Sequence, residues 1–300
     1  MSQPLHLVVL GGTGFVGRHL VPRLHAAGHR IDVLSRNRER HRELGVLPRV
    51  RVRSVDVYDA AALADALRGA DAAINLVGIL NERGRDGSGF RRAHVALTRT
   101  LLDACARAGV TRLLQMSALR AGAGSSHYLR TRGEAEALVR ASATAWTLFR
   151  PSVIFGPGDG LYFRFAALLR LAPVLPLARA AARFAPVYVG DVVEAMLRSL
   201  ASPASIGAVY ELGGPQRMSL AEIVRDTARW CGLHRAVLPL PDTLGRLQAA
   251  LMDFVPGKPF SSDNFRSLQL DSVPEEDGLA ALGIVPTPAA AVMPGLLAPR

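Results

Sequence analysis

A glycine-rich turn close to the start of the chain carries the residue types and spacing that point most directly to chemistry. It reads GGTGFVG over residues 11–17 and stands between an apolar run and an amphipathic segment. Gly11 permits a tight turn, Gly14 lets the backbone approach a ligand with no Cβ between them, and Gly17 lets a helix pack closely on a strand. A helix that begins here directs free N–H groups and the positive end of its dipole at an anion.

This arrangement predicts a binding site for the diphosphate of a dinucleotide, rather than a turn with a purely structural role. We expect the cofactor to contact the turn and the first helical turn through Gly11, Thr13, Gly14, Phe15, Val16 and Gly17.

The residues after the second predicted strand indicate which dinucleotide binds. A carboxylate there would accept hydrogen bonds from the adenosine 2′-hydroxyl and repel a 2′-phosphate. The chain instead has Ser35-Arg36-Asn37. Because Arg36 can present a planar fork to a phosphate, we expect NADP(H), and less readily NAD(H). Arginine is abundant in this chain, so an Arg36 without a role in binding stays an alternative.

Two further segments are placed to contact the cofactor. Asp56, after the third predicted strand, is expected to meet the adenine amino group, unless it is a solvated turn residue. The segment Leu76-Val77-Gly78 ends the fourth strand and would run beneath the cofactor's sugars.

Strand and helix patterns alternate through the first half of the chain, which is typical of a parallel sheet covered on both faces. They predict a doubly wound α/β sheet of the Rossmann type over residues 1–155. The predicted strands are Leu5–Leu10, Ile31–Ser35, Val50–Val55, Ala72–Val77, Arg112–Ser117 and Thr144–Arg150. The predicted helices are Val16–Ala27, Ala60–Leu67, Arg91–Ala108 and Tyr128–Ala141.

Regular alternation stops after Phe155, where residues 156–160 read GPGDG. We expect a smaller substrate lobe over residues 156–300, with segments around 186–201 returning to the core. Asp191 is expected to cap the following helix, with the orientation of a loop as the alternative. The predicted elements are helices Tyr162–Leu171, Val192–Leu200, Leu220–Cys231 and Thr243–Val255, and strands Val187–Val189 and Val209–Glu211.

The helix predicted for Thr243–Val255 has an apolar stripe. Its members, at helical spacing, are Leu244, Leu247, Leu251 and Phe254. Such stripes usually face the protein's own core, but this one could also lie on a membrane interface or a partner.

Composition limits the function classes. The 300 residues are 49% hydrophobic and 20% charged, enough apolar content for a large core. The chain has two cysteines, Cys105 and Cys231, which are too few and too far apart for a metal cluster. The first residues lack a charged signal region with a cleavage site. We therefore expect a cytoplasmic protein with reduced thiols. Residues 279–298 are uncharged, but three prolines interrupt them, so we expect a tail packed along the domain and no transmembrane segment.

The net charge of +11 raises the question of an anionic partner. Only Lys258 among the 36 basic residues is a lysine, and the arginines are scattered instead of being clustered with aromatic residues. We therefore expect no nucleic-acid partner, while an acidic partner or an anionic membrane surface stays open.

A second group of residues follows the fifth predicted strand. Ser117 closes that strand, Tyr128 opens the next helix, and Arg132 lies one turn later on the same face. In these positions the chain resembles an extended or atypical short-chain dehydrogenase/reductase. The resemblance implies that Ser117 positions a substrate carbonyl, that Tyr128 handles a proton, and that Arg132 takes the place of a lysine that holds the nicotinamide ribose.

The resemblance also has departures. A guanidinium does not lose its proton, so Arg132 cannot join a proton relay as a lysine can, and turnover should be impaired. His94 stands where the family usually has an asparagine. The same resemblance places the backbone of Pro151 and Val153 against the nicotinamide carboxamide.

Several segments are similar to the nucleotide-binding accessory subunit of respiratory complex I and its bacterial homologues. They are residues 74–82, 114–119, 128–131, 150–159, 186–192, 262–268 and 282–286. This similarity implies a tightly held NADPH with a structural, sensing or quinone-linked role, and a respiratory complex or the inner face of the cytoplasmic membrane as partner. Two alternatives stay open: an active oxidoreductase or epimerase acting on a small carbonyl, quinone or sugar nucleotide, and a scaffold without cofactor.

Overall fold

The computed structural model describes residues 3–298, apart from the side chains of Arg38, Arg42 and Glu43. The strands are β1 (His6–Leu10), β2 (Arg30–Ser35), β3 (Val50–Ser54), β4 (Ala72–Asn75), β5 (Arg112–Met116), β6 (Ala145–Pro151), β7 (Ile154–Phe155), β8 (Val174–Leu177), β9 (Arg183–Phe184), β10 (Val187–Tyr188), β11 (Val209–Leu212), β12 (Met218–Ser219) and β13 (Ala236–Pro239).

The helices alternate with these strands through the first half of the chain. They are α1 (Phe15–Ala26), α2 (Ala60–Leu67), α3 (Ser88–Phe90), α4 (Leu97–Ala108), α5 (His127–Arg140), α6 (Tyr162–Leu171), α7 (Val189–Ala201), α8 (Leu220–Trp230), α9 (Asp242–Met252), α10 (Ser262–Ser267), α11 (Gly278–Ala281) and α12 (Ala289–Leu297). Arg38–Val46 and Pro203–Ser205 form 3-10 helices, and Arg91–Ala96 is π-helical.

Seven strands form one parallel sheet in the order β3-β2-β1-β4-β5-β6-β11, which confirms the predicted doubly wound fold. At its centre, Leu10 of β1 lies opposite Leu34 of β2 on one side and Asn75 of β4 on the other. The strand order reverses direction at β1. In such sheets a crevice opens at the carboxyl ends of the strands at this reversal, and ligands bind there.

Both faces of the sheet are covered, which explains the uninterrupted apolar sequence of β1. Leu7 and Val9 belong to one buried cluster, which includes residues of α1 and α7. Val8 and Leu10 belong to a second cluster with residues of α2 and α4. Strands buried on both faces have no polar alternation, because each side chain meets a helix.

Segments from the second half of the chain complete the sheet and its covering layer. β11 pairs with β6 at the sheet edge, and α7 packs against α1, where Arg23 and Glu194 form an ion pair at 2.9 Å. The division of the chain at residue 155 stays a prediction. The uncharged tail packs as expected, because Leu279 and Met293 are completely buried.

Two local expectations need correction. Asp191 was expected to cap a helix, but α7 begins at Val189, and the Asp191 carboxylate accepts hydrogen bonds from Thr287 N–H at 2.6 Å and from its hydroxyl at 3.0 Å. It therefore orients the loop before α12.

The helix expected over Arg91–Ala108 contains a π-helical segment around His94, a geometry that often marks functional sites.

Candidate functional site

The glycine turn between β1 and α1 has the geometry that its sequence predicts. Gly11 adopts φ +76°, and a Cβ there would lie 3.0 Å from the backbone of Leu76 and Val77. Gly14 N–H donates to the Gly11 carbonyl at 3.0 Å, which closes the turn. Gly14 is also the N-cap of α1 and has no side chain to cap it, so the first N–H groups of the helix are left for a ligand.

Close packing behind the turn fixes the position of α1. A Cβ on Gly17 would lie 2.4 Å from Gly12 Cα, so only glycine allows this approach of helix and turn. The Arg18 guanidinium holds the Thr13 carbonyl at 3.1 Å. Phe15 and Val16 are half-buried in the first helical turn. The six residues predicted to hold the diphosphate therefore form one rigid corner of the crevice.

Arg36 lies immediately beyond β2, at the carboxyl edge of the sheet, and is exposed. Within the described part of the chain, its guanidinium has no hydrogen bond or ion pair. Asp56 follows β3 at the same edge, and its carboxylate accepts the Tyr58 N–H at 3.0 Å. Asp56 is thus a turn residue that keeps one carboxylate oxygen for another partner, and its contact with adenine stays a prediction.

Arg132 lies in the sheet-facing part of the site and is almost completely buried. Its Nη1 donates to the carbonyls of Met116 at 3.0 Å and Val77 at 3.4 Å, whereas Nε is buried with no protein partner among the described residues. A Cβ on Gly78 would lie 1.9 Å from Nη2, so glycine at 78 makes room for the guanidinium. The structure therefore brings the segment 76–78 and Arg132 together, and their contact with a cofactor stays a prediction.

Tyr128 and His94 complete the group around Arg132. The guanidinium carbon lies 5.6 Å from the centre of the Tyr128 ring, and the His94 ring is 5.6 Å from that of Tyr128. Burial, with the Arg132 charge nearby, lowers the pKa of His94 to about 2. His94 is therefore a neutral imidazole at physiological pH.

The hydrogen bonds of His94 fix its tautomer. Thr131 donates its hydroxyl to the His127 carbonyl at 2.8 Å, so its oxygen accepts from His94 Nδ1, also at 2.8 Å. His94 Nε2 then accepts the Ile79 N–H at 3.4 Å. His94 thus joins the π-helical segment to α5 and to the loop after β4.

Ser117 belongs to a different group. Its hydroxyl donates to Glu136 Oε1 at 2.6 Å, and Glu136 also accepts from Arg150 Nε and Nη2 at 2.9 and 2.6 Å. Among the described residues no hydrogen bond joins Ser117 to Tyr128 or Arg132. The structure therefore brings Tyr128 and Arg132 together but gives Ser117 a structural partner, and its catalytic role stays a prediction.

Pro151 and Val153 lie where β6 ends, at the same carboxyl edge. The Pro151 carbonyl accepts the Leu119 N–H at 3.1 Å, and the Val153 carbonyl accepts the Val187 N–H at 3.0 Å. These bonds hold the segment between β5 and β10. Its contact with the nicotinamide is a prediction that this position allows.

Asp263 is a functional candidate that the sequence did not single out. From α10, its carboxylate accepts the N–H groups of His127 at 2.6 Å and Tyr128 at 3.0 Å, the first two residues of α5. α10 thereby holds the helical turn that carries Tyr128. Asp263 lies within the segment 262–268 that resembles the complex I subunit, but nothing local indicated its partners on α5, more than 130 residues away.

A cavity of about 330 Å³ adjoins this contact, between the loop 81–89 and the helices α9 and α10. Glu82 shapes the loop by accepting the N–H groups of Gly87 and Gly89 at 2.7 and 2.8 Å. Phe90 lines the cavity and its ring lies 6.1 Å from that of Tyr128. Phe90 therefore separates the cavity from the Tyr128 ring.

Comparison with known proteins agrees with this geometry. The model of the NAD(P)H-binding family matches residues 11–163. The chain belongs to this family. It is 32% identical over 276 residues to the mitochondrial NADH dehydrogenase [ubiquinone] 1 alpha subcomplex subunit 9 of Arabidopsis thaliana, covering 88% of this chain and 68% of that protein. It is therefore an extended short-chain dehydrogenase related to the complex I subunit.

Two further similarities broaden the comparison. A ceramide reductase of Caulobacter vibrioides is 32% identical over 253 residues, with 82% of this chain and 77% of that protein covered. A dTDP-glucose 4,6-dehydratase from Streptomyces venezuelae, solved with NAD bound, superposes with a TM-score of 0.78 at 23% identity, covering 98% of this chain and 96% of that one. The structural similarity shows the fold.

Residues 3–298 contain neither a membrane-spanning helix nor a metal cluster. No helix in this range combines the length and apolar character needed to cross a bilayer. No group of three or more His, Cys, Asp or Glu side chains suited to a metal ion occurs there.

Proposed function

We propose that the protein holds NADP(H) in the crevice between β1 and β4, mainly for a structural, sensing or quinone-linked role. The observation that carries this proposal is the uncapped amino terminus of α1 behind a turn in which Gly11 and Gly17 leave no room for side chains. Helix N–H groups in such a turn bind phosphate. The buried, unpartnered Nε of Arg132 supports a ligand farther along the same edge.

The choice of NADP(H) over NAD(H) is supported by Arg36. Its exposed guanidinium stands at the end of β2, where the adenosine ribose of a bound dinucleotide lies, and no acidic residue occupies that position. A guanidinium can bind a 2′-phosphate through two parallel hydrogen bonds.

A direct experiment separates bound cofactor from an empty scaffold. Protein purified without added nucleotide is denatured, and the released small molecules are identified by mass spectrometry. We expect NADPH or NADP⁺. If no dinucleotide is released, and calorimetric titration with NADPH and NADH gives no heat, the chain is the scaffold without cofactor and the proposal is wrong.

A second candidate is an active oxidoreductase, which the ceramide reductase relative and the pair Tyr128–Arg132 support. The nicotinamide would supply or accept a hydride when bound. Tyr128 would exchange a proton with a carbonyl or alcohol of the substrate, and Arg132 would supply a fixed positive charge beside it. The name of this relative supports a carbonyl on a lipid as the substrate, in place of a sugar nucleotide.

Turnover tests this candidate. NADPH oxidation is followed with a panel of quinones, lipid ketones and sugar nucleotides, and Tyr128→Phe should abolish any activity found. Ser117→Ala serves as the comparison: loss of activity with unchanged thermal stability would support a catalytic serine, whereas loss of stability would assign Ser117 to the Glu136 network.

The proposed location is the cytoplasm, with peripheral contact to a respiratory complex or to the inner face of the cytoplasmic membrane. The kinship with the complex I subunit supports a respiratory partner. Copurification with respiratory membranes that survives mild washing would support this location, and recovery only in the soluble fraction would contradict it.

A further inference from the structure

The apolar stripe of α9 and the following loop faces outward, not into the protein. The relative exposures are 51% for Leu244, 55% for Leu247, 63% for Leu251, 72% for Phe254 and 42% for Val255. The opposite side of the helix makes the internal contacts: Gly245 packs on Ala178 and Phe265, and Ala249 is buried. Packing against the protein's own core therefore does not account for these apolar side chains.

Basic side chains border the stripe. The Arg85 guanidinium lies 4.5 Å from the centre of the Phe254 ring. Lys258 follows the stripe and donates to the Gly84 carbonyl at 2.5 Å, which holds the loop carrying Arg85 next to it. Apolar residues flanked by cations are typical of surfaces that enter the headgroup region of an anionic bilayer.

The nearby acidic groups are occupied by internal partners. Asp253 accepts the Ser262 N–H at 3.2 Å, and Asp263 and Glu82 accept the backbone N–H groups already described. Asp242 pairs with Arg179 at 3.0 Å, and Asp86 accepts from Ser88. These contacts hold the carboxylates against internal donors, and Arg179 offsets the charge of Asp242. The chain-wide excess of 11 positive charges adds attraction to an anionic surface.

The size of the stripe favours a bilayer over a protein partner. A stable protein interface takes about 20–30 residues from each partner. Five apolar side chains along one helix and its following loop are far fewer, but shallow insertion into a bilayer needs only such a strip together with electrostatic attraction.

We propose that the stripe formed by Leu244, Leu247, Leu251, Phe254 and Val255 docks the protein on an anionic lipid bilayer, with Arg85 at the headgroups. This inference gives the proposed peripheral location a defined surface. It is independent of dinucleotide binding. It also places the cavity lined by Phe90 near the lipid surface, because Ala250 and Asp253 of the same helical region line it.

The test is cosedimentation with vesicles of phosphatidylcholine, either pure or with about one third phosphatidylglycerol. Wild-type protein should bind the anionic vesicles, and less so at high salt. Leu247→Asp and Phe254→Asp should each weaken this binding about tenfold, since each removes an inserting side chain and adds a negative charge. Arg85→Glu should weaken binding to the anionic vesicles only.

Matched controls lie on other exposed surfaces. Val46 and Val285 are 77% and 87% exposed, so Val46→Asp and Val285→Asp make the same chemical change away from the stripe and should leave vesicle binding unchanged. NADPH affinity and melting temperature should match wild type in every variant, so failure of cofactor binding is measured separately.

Three results would overturn the inference. The first is wild-type protein that does not sediment with anionic vesicles. The second is an equal loss of binding in the control variants. The third is a wild-type dimer, measured by light scattering, that Phe254→Asp converts to a monomer without changing vesicle binding, because the stripe would then contact a second copy of the chain.

Discussion

Replacing Arg36 by alanine should change cofactor choice without changing stability. The guanidinium is exposed at the end of β2 and has no hydrogen bond or ion pair with other described residues, so its loss breaks no internal contact. Surface substitutions of this kind usually alter stability by less than about 0.5 kcal/mol. Any effect of Arg36→Ala on binding therefore reports on the ligand and not on the fold.

The magnitude follows from the contact that is lost. A hydrogen bond to a charged group contributes about 1.5–3 kcal/mol, which corresponds to about 10-fold to 150-fold in Kd. NADPH should lose affinity by this factor in Arg36→Ala. NADH carries a 2′-hydroxyl at that position, so its affinity should change by less than about threefold.

The assay is calorimetric titration of both dinucleotides into wild type and variant at one fixed ionic strength. Arg107→Ala is the matched control, because Arg107 is an exposed arginine in the last turn of α4, at the opposite edge of the sheet. It removes the same charge and should leave both affinities unchanged. Equal losses for NADPH and NADH in Arg36→Ala, or no loss, would refute the assignment of Arg36 to the 2′-phosphate.

Three further predictions concern the crevice. Gly17→Ala places a Cβ against Gly12 and should lower the free energy of unfolding by about 1–3 kcal/mol and abolish NADPH binding; unchanged melting and binding would contradict the packing described. His94 is neutral in the folded protein, where its pKa is lowered to about 2. Below about pH 6.5 the unfolded chain binds a proton at this histidine and the folded protein does not. The free energy of unfolding should therefore fall by about 2 kcal/mol between pH 7 and pH 5. Urea unfolding at both pH values measures this fall in the free energy of unfolding, and His94→Gln should make the fall smaller. If the fall is the same in His94→Gln as in wild type, other titratable groups cause it. Arg132→Lys supplies an ammonium that can exchange protons, so it should raise the rate of carbonyl-dependent NADPH oxidation. Adding Tyr128→Phe should remove this increase. If Arg132→Lys does not raise the rate, the arginine is not what limits turnover.

The central sheet and the glycine turn could be predicted because their signals are local. Most of the first six strands are short and largely apolar, and a helical pattern separates each strand from the next except between β2 and β3; parallel pairing follows from that alternation. β3 reads VRVRS and follows a 3-10 helix. The turn at residues 11–17 needs only its own glycines and the adjacent helix. For the same reason α6 has the predicted bounds, Tyr162–Leu171.

Contacts between distant parts of the chain could not be predicted. The partner of Ser117 is Glu136 on α5, and the partner of the Tyr128 N–H is Asp263 on α10. Neither pairing leaves a periodic pattern in the sequence, because a single side chain is enough to make it. The outward stripe of α9 had the same limitation: helical spacing identifies an apolar face but not what that face meets.

A crystal structure of the protein with NADPH tests the central claim most directly. We expect the diphosphate at the amino terminus of α1, within hydrogen-bond distance of the N–H groups beyond Gly14, and the 2′-phosphate against Arg36. Density for the dinucleotide elsewhere, or a crevice that stays closed by side chains at saturating NADPH, would contradict the account.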